Sequence, residues 1–430
     1  RKLPAGHILV CGEGAAPAPR SFARPGASLD LAVRNAPDAE LAEELRARLR
    51  DSVRAHLVAD VPVGVLLSGG VDSSALTALA ARETERPLQT FSIGFEEHSF
   101  NELGLARLVA RRYGTEHHEL VVRPDAATLL PEIVDTLDEP FADSAVLPTY
   151  LVAKLASEHV KVVLSGEGAD ELFGGYYTYV ADQLAPRLNW LGPALRPIVD
   201  LLPSSSARVS LDYKAKRFAR GLGLPALERH HAWKEIFSAS ARAELLDGRD
   251  GSRRDPVDLL RSRYRETEGL PELARLQDVD LGVLMVDDLL VHTDRASMAH
   301  SLEVRVPFLD RTVSDFAFSL PSHLKVRGFQ KKRLLRRAVG PLLPAEIIAA
   351  PKRGFSIPAA AWLRGELVPV ARDVLAPETV ARQGFFRPAA VTSVLDRHVS
   401  GAEDLSRQLW GLLSFTLWYE RHASRRTAAA

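Results

Sequence analysis

Val63-Gly64-Val65-Leu66-Leu67-Ser68-Gly69-Gly70-Val71-Asp72-Ser73-Ser74 is the stretch that decides the fold of this chain. The apolar run Val63–Leu67, bounded by glycines, reads as a strand buried in a parallel sheet. Ala75-Leu76-Thr77-Ala78-Leu79-Ala80-Ala81 reads as a helix, with Ser73 or Ser74 as its cap. Strand, glycine-rich turn and helix start together make an anion site. The glycines let backbone N–H groups approach an oxyanion, the serines add hydroxyl donors, and the helix dipole favours negative charge. Asp72 is repelled by a phosphate unless a cation stands between them, so the loop reads as a cradle for magnesium and pyrophosphate. An ordinary two-glycine turn is the alternative for the bare dipeptide. The G-x-x-x-x-G-K-[ST] loop is absent, and Gly12-Glu13-Gly14 and Gly166-Glu167-Gly168 both lack the third glycine of a dinucleotide fingerprint.

Outward from this stretch the pattern alternates. Strands are predicted at 63–67, 89–94, 117–122 and 160–164, with helices at 73–83, 101–113, 125–137 and 145–158. That alternation implies a parallel sheet wrapped by helices, with a site at the carboxyl ends of its strands. Upstream, Leu41, Leu45, Leu49, Val53 and Leu57 recur every four residues, the stripe of an amphipathic helix, with Glu40, Glu43 and Glu44 preceding Arg46, Arg48 and Arg50. Residues 12–37 read as linker. Beyond about residue 180, helical patterns dominate, interrupted by Pro-rich breaks near 187–203, 341–351 and 358. The terminal Arg-Arg-Thr-Ala-Ala-Ala is expected to be disordered.

The 430 residues suffice for two or three domains. Lys+Arg and Asp+Glu are 55 each, which gives no electrostatic case for nucleic acid or an anionic membrane as partner. No apolar run approaches the roughly eighteen residues of a membrane span, so a soluble protein is expected. The lone Cys11 excludes an internal disulfide framework and suits a cytoplasmic setting. Within Ile8-Leu9-Val10-Cys11 it is expected to be a small buried residue of a short strand.

Three further patches carry charge. Ser165-Gly166-Glu167-Gly168-Ala169-Asp170-Glu171 puts glycines directly after an apolar strand, and its three carboxylates in five residues call for a cation or polar substrate. A helix start explains Asp170 and Glu171. It does not explain Glu167 between glycines. Asp287 to Asp310 is dense in polar residues at helical spacing up to Ala299, and one or two of these can reach a substrate. Gln330-Lys331-Lys332-Arg333-Leu334-Leu335-Arg336-Arg337 reads as a basic helix start that can offer one Lys to a triphosphate, with Lys331 and Arg333 projecting elsewhere. His117-His118 and His230-His231 read as structural.

Together these segments resemble the synthetase domain of glutamine-hydrolysing asparagine synthetases. The residues that carry the resemblance are Leu66–Ser74, Phe91-Ser92-Ile93-Gly94-Phe95, Asp138-Glu139-Pro140-Phe141, Leu164–Tyr176, Leu302–Asp310 and Pro351-Lys352-Arg353-Gly354-Phe355-Ser356. It covers essentially residues 35–420. It implies an α/β fold, with a Rossmann-like parallel sheet of the pyrophosphatase (adenine nucleotide alpha hydrolase-like) type and a mostly helical C-terminal half. The implied layout is the tail of a glutaminase domain at 1–20, a linker at 21–37 and a synthetase domain at 38–425.

The resemblance implies a reaction in which MgATP activates the side-chain carboxylate of aspartate as an adenylate, and ammonia then displaces AMP. It implies adenosine contacts at Leu67, Ile93, Ser165 and Gly166. Phosphate contacts are implied at Ser68, Gly70, Ser73 and Lys332, with Gly69 in the same loop. Magnesium ligands are implied at Asp72 and Asp170, and Glu167 is implied in adenylate formation, with Lys332 and Asp72 also catalytic. ATP and Mg2+ are the expected cofactors. Aspartate and ammonia from a glutaminase domain are the expected small-molecule partners, without nucleic acid or membrane, and a homodimer is allowed. Family members of this type begin with a cysteine nucleophile that this chain does not display, so glutamine hydrolysis is not expected of it. The competing readings are an intramolecular amide-forming relative of the β-lactam synthetase kind and a non-catalytic nucleotide-binding module.

Overall fold

In the computed structural model, which describes residues 2–12, 17–24, 30–191, 211–248, 255–352 and 354–428, a five-stranded parallel sheet forms the frame. A separate antiparallel hairpin pairs β1 (His7–Leu9) with β2 (Pro19–Ser21). The sheet holds β3 (Val63–Leu66), β4 (Gln89–Phe95), β5 (Glu116–Val122), β6 (Val162–Leu164) and β7 (Glu303–Arg305), in the order β5-β4-β3-β6-β7. The first four match the predicted strands. β7 comes from the half of the chain where none was predicted. Its Val304 pairs with Val163, extending the sheet by a strand too short to leave a pattern of its own.

The inner strands β3 and β6 are covered on both faces, which is why they read as continuous apolar runs. Val65, Leu67 and Leu164 enter one core, and Leu66, Phe91 and Val163 the other, as the two-residue alternation of a strand dictates. The first core is covered by α1 (Asp38–His56), whose buried face is Leu41, Ala42, Leu45, Leu49, Ser52 and Val53. Leu45, Leu49 and Val53 are fully buried, and each such side chain stabilises by roughly 1.5–3 kcal/mol. α2 (Val71–Glu83) follows β3 and is buried nearly all round from Val71 to Ala80. It starts at Val71 with Gly70 as cap, so Ser73 and Ser74 lie inside the first turn rather than capping it.

Chain order explains where a site can form. From β3 the strands step outward to β4 and β5, then return to the other side of β3 as β6. The order reverses between β3 and β6, and the loops leaving these two strands diverge there to open a crevice.

The later helices close that crevice. After a wide-turned π-helical stretch, Asp280–Leu289, comes α3 (Leu290–Met298). α4 (Arg311–Ser319) packs on α1, and α5 (Arg333–Val339) does the same. Asp310 caps α4, its Oδ1 accepting from the Thr312 amide at 2.8 Å and the Thr312 hydroxyl at 2.6 Å. Asp310→Ala is therefore expected to cost about 1 kcal/mol, read as a lower urea midpoint at unchanged slope.

Three expectations need correction. Cys11 is exposed, two residues past the end of β1. The chain runs as helix from Ser406 to Ala428, so the basic tail expected to be disordered is helical that far. Within the stretch read as linker, Leu31–Asn35 is a short helix capped by Asp30. Parts of that stretch and of the break near 187–203 lie outside the described residues. No helix among the described residues is long and apolar enough to cross a membrane.

Candidate active site

The loop after β3 is held by its own hydroxyls. Ser73 Oγ accepts from the Ser68 amide at 3.1 Å, donates to the Gly70 carbonyl at 3.3 Å and lies 3.0 Å from Ser68 Oγ. Leu67 beneath it is buried, and its amide donates to the Phe91 carbonyl at 2.8 Å. Leu66 is level with Phe91, so Ile93 lies two residues further along β4, beside the start of the loop. Ser165, at the end of β6, donates its amide to the Arg305 carbonyl at 2.8 Å. Gly166 then presses on the first loop. A Cβ there would stand 3.1 Å from both Asp72 Cβ and the Ser73 amide nitrogen. The residues expected to hold adenosine and phosphate thus meet at the switch point.

Asp72, in the first turn of α2, and Asp170, in the short helix Ala169–Phe173, meet across this junction through lysines. Lys332 Nζ bridges them, 2.6 Å from Asp72 Oδ2 and 2.6 Å from Asp170 Oδ1. Lys352 Nζ reaches Asp170 Oδ2 at 2.6 Å and Asp72 Oδ2 at 4.0 Å. Gly175 makes the cluster sterically possible, because a Cβ there would collide with Asp170 and Lys332. Lys332 itself caps α5 with φ 51° and ψ 39°, a left-handed backbone that a non-glycine residue adopts at a cost of about 1–3 kcal/mol. Strain spent on aiming one side chain inward is a mark of a working position. Burial alone would raise the Asp170 carboxyl, but the two lysines hold it well below the usual carboxylate range. Burial lowers Lys352 in turn, and Asp170 and Asp72 outweigh it, so its ammonium stays charged.

These four groups lie beside a crevice lined by Ser68, Gly69, Gly70, Asp72, Lys332 and Lys352 together with Glu102, Gly175, Lys331 and Arg336. Among the described residues no three His, Cys, Asp or Glu side chains gather as a metal cage. Asp72 Oδ1 is nevertheless buried without a hydrogen-bond partner. Two carboxylates with a spare oxygen fit magnesium in its usual nucleotide-bound form, where phosphates and waters complete the shell.

Glu167 sits apart from the lysines. Its Oε1 accepts from Thr293 Oγ1 of α3 at 2.7 Å, and its Oε2 has no hydrogen-bond partner. Burial pushes this carboxyl up, against the weaker opposing pulls of Thr293 and His292. Thr293 answers the expectation that the Asp287–Asp310 patch reaches the site, although nothing in the sequence singles it out from its neighbours.

Lys352 and Lys331 are the residues that sequence reasoning missed. Lys352 stands in the Pro351–Ser356 motif, which gave it no role; its neighbour Arg353 lies outside the described residues. Lys331 corrects an expectation: it does not project elsewhere but is buried against the crevice. Lys331 stands between the Arg327–Gln330 turn and the left-handed Lys332, before α5 begins at Arg333, so helical spacing does not apply. Arg333, as expected, points away, toward Asp38 at 3.4 Å. One histidine of each pair is held by neighbouring side chains. His117 Nδ1 lies 2.9 Å from Thr90 Oγ1, and His230 is buried between Asp182 at 2.6 Å and Asp280 at 3.0 Å.

The family model of asparagine synthase matches residues 44–420. The chain belongs to the asparagine synthase family. It is 40% identical over 385 residues to a Mycobacterium tuberculosis protein named "Putative asparagine synthetase", glutamine-hydrolyzing, covering 88% of this chain and 57% of that one. It is 34% identical to asparagine synthetase (glutamine-hydrolyzing) 1 of Bacillus subtilis, over 90% of this chain and 60% of that one. A more distant similarity, 26% over 99% of the chain and 69% of its counterpart, is to Amidase chry2 of Gibberella zeae. The chain thus spans less than two thirds of the first two relatives' length. The matched residues, 44–420, enclose every group of the site described above.

Proposed function

We propose that this chain is an ATP-dependent amide-forming ligase that adenylates the side-chain carboxylate of aspartate and transfers the acyl group to ammonia, giving asparagine, AMP and pyrophosphate. The observation that carries this reading is the crevice itself. A glycine-serine loop and a helix start face the Asp72 and Asp170 carboxylates, which buried Lys332 and half-buried Lys352 hold together. Asp72 and Asp170 would hold magnesium, which would supply charge neutralisation at the phosphates.

In the first step a carboxylate oxygen of the acid attacks the α-phosphorus, and the bond to the bridging oxygen of the β-phosphate breaks. Negative charge grows on the departing pyrophosphate. Lys332, whose ammonium lines the crevice beside the loop, stabilises it, and the Ser68–Gly70 segment supplies amide and hydroxyl donors. In the second step ammonia adds to the acyl carbon, loses a proton, and AMP leaves with the oxygen that came from the acid. Glu167, with one carboxylate oxygen free of hydrogen bonds, is assigned to the acyl side of both steps. The family's relatives include one named as an amidase, so the acid is chosen by experiment. Purified chain given ATP, Mg2+, ammonium and a panel of carboxylic acids is expected to release pyrophosphate and AMP with aspartate and to form asparagine in equal amount. ADP as the product, or pyrophosphate release without any amide, contradicts the proposal.

A further inference from the structure

We propose that Lys331 is a mobile anchor for the phosphates that leave as pyrophosphate, parked on Tyr177 until the nucleotide arrives. The inference rests on the nucleotide reading of the crevice and names a residue that reading does not require. Lys331 lines the crevice together with Ser68, Gly69, Gly70 and Lys332. Its residue is 8% exposed, and its Nζ is buried without a hydrogen-bond partner. Burial pulls the pKa of this ammonium down to about 7, and it lies 3.3 Å from the centre of the Tyr177 ring. An ammonium carries three donors, and leaving them all unmade is costly. A ring face returns only part of that cost. A group held in this way gains most when an anion comes within reach.

Charge supports the same assignment. Lys332 and Lys352 are matched by Asp72 and Asp170, so these four groups bring no surplus to the site. A magnesium-bound triphosphate still carries about two negative charges. Of the other charged groups lining the crevice among the described residues, Glu102 adds a negative charge, and Lys331 and Arg336 are the cations. Arg336 is turned to the Ile348 carbonyl. Among the described residues lining the crevice, Lys331 is the cation whose buried ammonium makes no hydrogen bond.

Equilibrium binding of MgATP, Mg-pyrophosphate and AMP to the full chain tests this, with a thermal melt to establish that each variant is folded. Lys331→Met is expected to weaken MgATP and Mg-pyrophosphate by about 10- to 100-fold, the scale of a hydrogen bond to a charged group, while AMP changes by less than about 3-fold. Tyr177→Leu removes the parking face and leaves the charge, so Mg-pyrophosphate is expected to bind about 2- to 5-fold more tightly. Unchanged Mg-pyrophosphate affinity in Lys331→Met overturns the proposal. So does an equal loss for AMP, which marks Lys331 as a shaping residue, or weaker Mg-pyrophosphate binding in Tyr177→Leu. Wild-type chain that binds neither MgATP nor Mg-pyrophosphate overturns the nucleotide reading itself, and the role of Lys331 falls with it.

Discussion

Asp72→Asn is expected to lower aspartate-dependent ATP–pyrophosphate exchange by about 10³-fold or more, the several kcal/mol that a metal clamp on a phosphoryl group supplies. The substitution keeps the shape of the side chain and removes its charge. Asp72 is the acid in the first turn of α2, at the end of the glycine loop, and its free Oδ1 is the oxygen best placed to meet a cation. Loss of the charge also releases Lys332 on one side. Lys332 still holds Asp170 at 2.6 Å, so the variant stays folded, with a melting temperature a few degrees below wild type at most. Exchange near the wild-type rate would remove Asp72 from the metal site.

Lys332→Met is expected to slow adenylation by about 10²–10³-fold, the scale for deleting one transition-state electrostatic contact. Three features single this lysine out. It bridges both carboxylates, it is 4% exposed, and its backbone is held in a left-handed conformation. Single-turnover formation of pyrophosphate is the measurement. Arg333→Met is the control, because Arg333 pairs with Asp38 on the far side and its variant should stay within about 3-fold of wild type. Equal losses at both positions would assign the effect to a general basic face.

What the sequence made legible was whatever one stretch could carry by itself. Val63–Ser74 contains strand, turn and helix start within twelve residues, so both the parallel sheet and the phosphate loop could be read from it. Ser165–Asp170 repeats the same local logic after β6. β7 was missed because its Glu303-Val304-Arg305 is three residues long, mostly charged, and is a strand only by virtue of pairing with β6. Cys11 was misplaced because an apolar run says that a strand can form, not that anything will cover it. The lysine cluster is the plainest case. Asp72 and Lys332 are 260 positions apart, and no period links them. Lys352 and Lys331 look like any basic residue until the turns before α5 and after Ala345–Ala349 deliver them to the same crevice. Thr293 is known as a partner of Glu167 only through the packing of α3 on the sheet's end.

The central claim, that this crevice transfers the adenylyl group to a carboxylate, is tested most directly by following oxygen. Aspartate labelled with oxygen-18 in its side-chain carboxylate is turned over with MgATP and ammonium, and the nucleotide product is examined by mass spectrometry. The account predicts AMP carrying one labelled oxygen, since the oxygen that attacks the α-phosphorus leaves with AMP. Unlabelled AMP, or label appearing in inorganic phosphate, contradicts it.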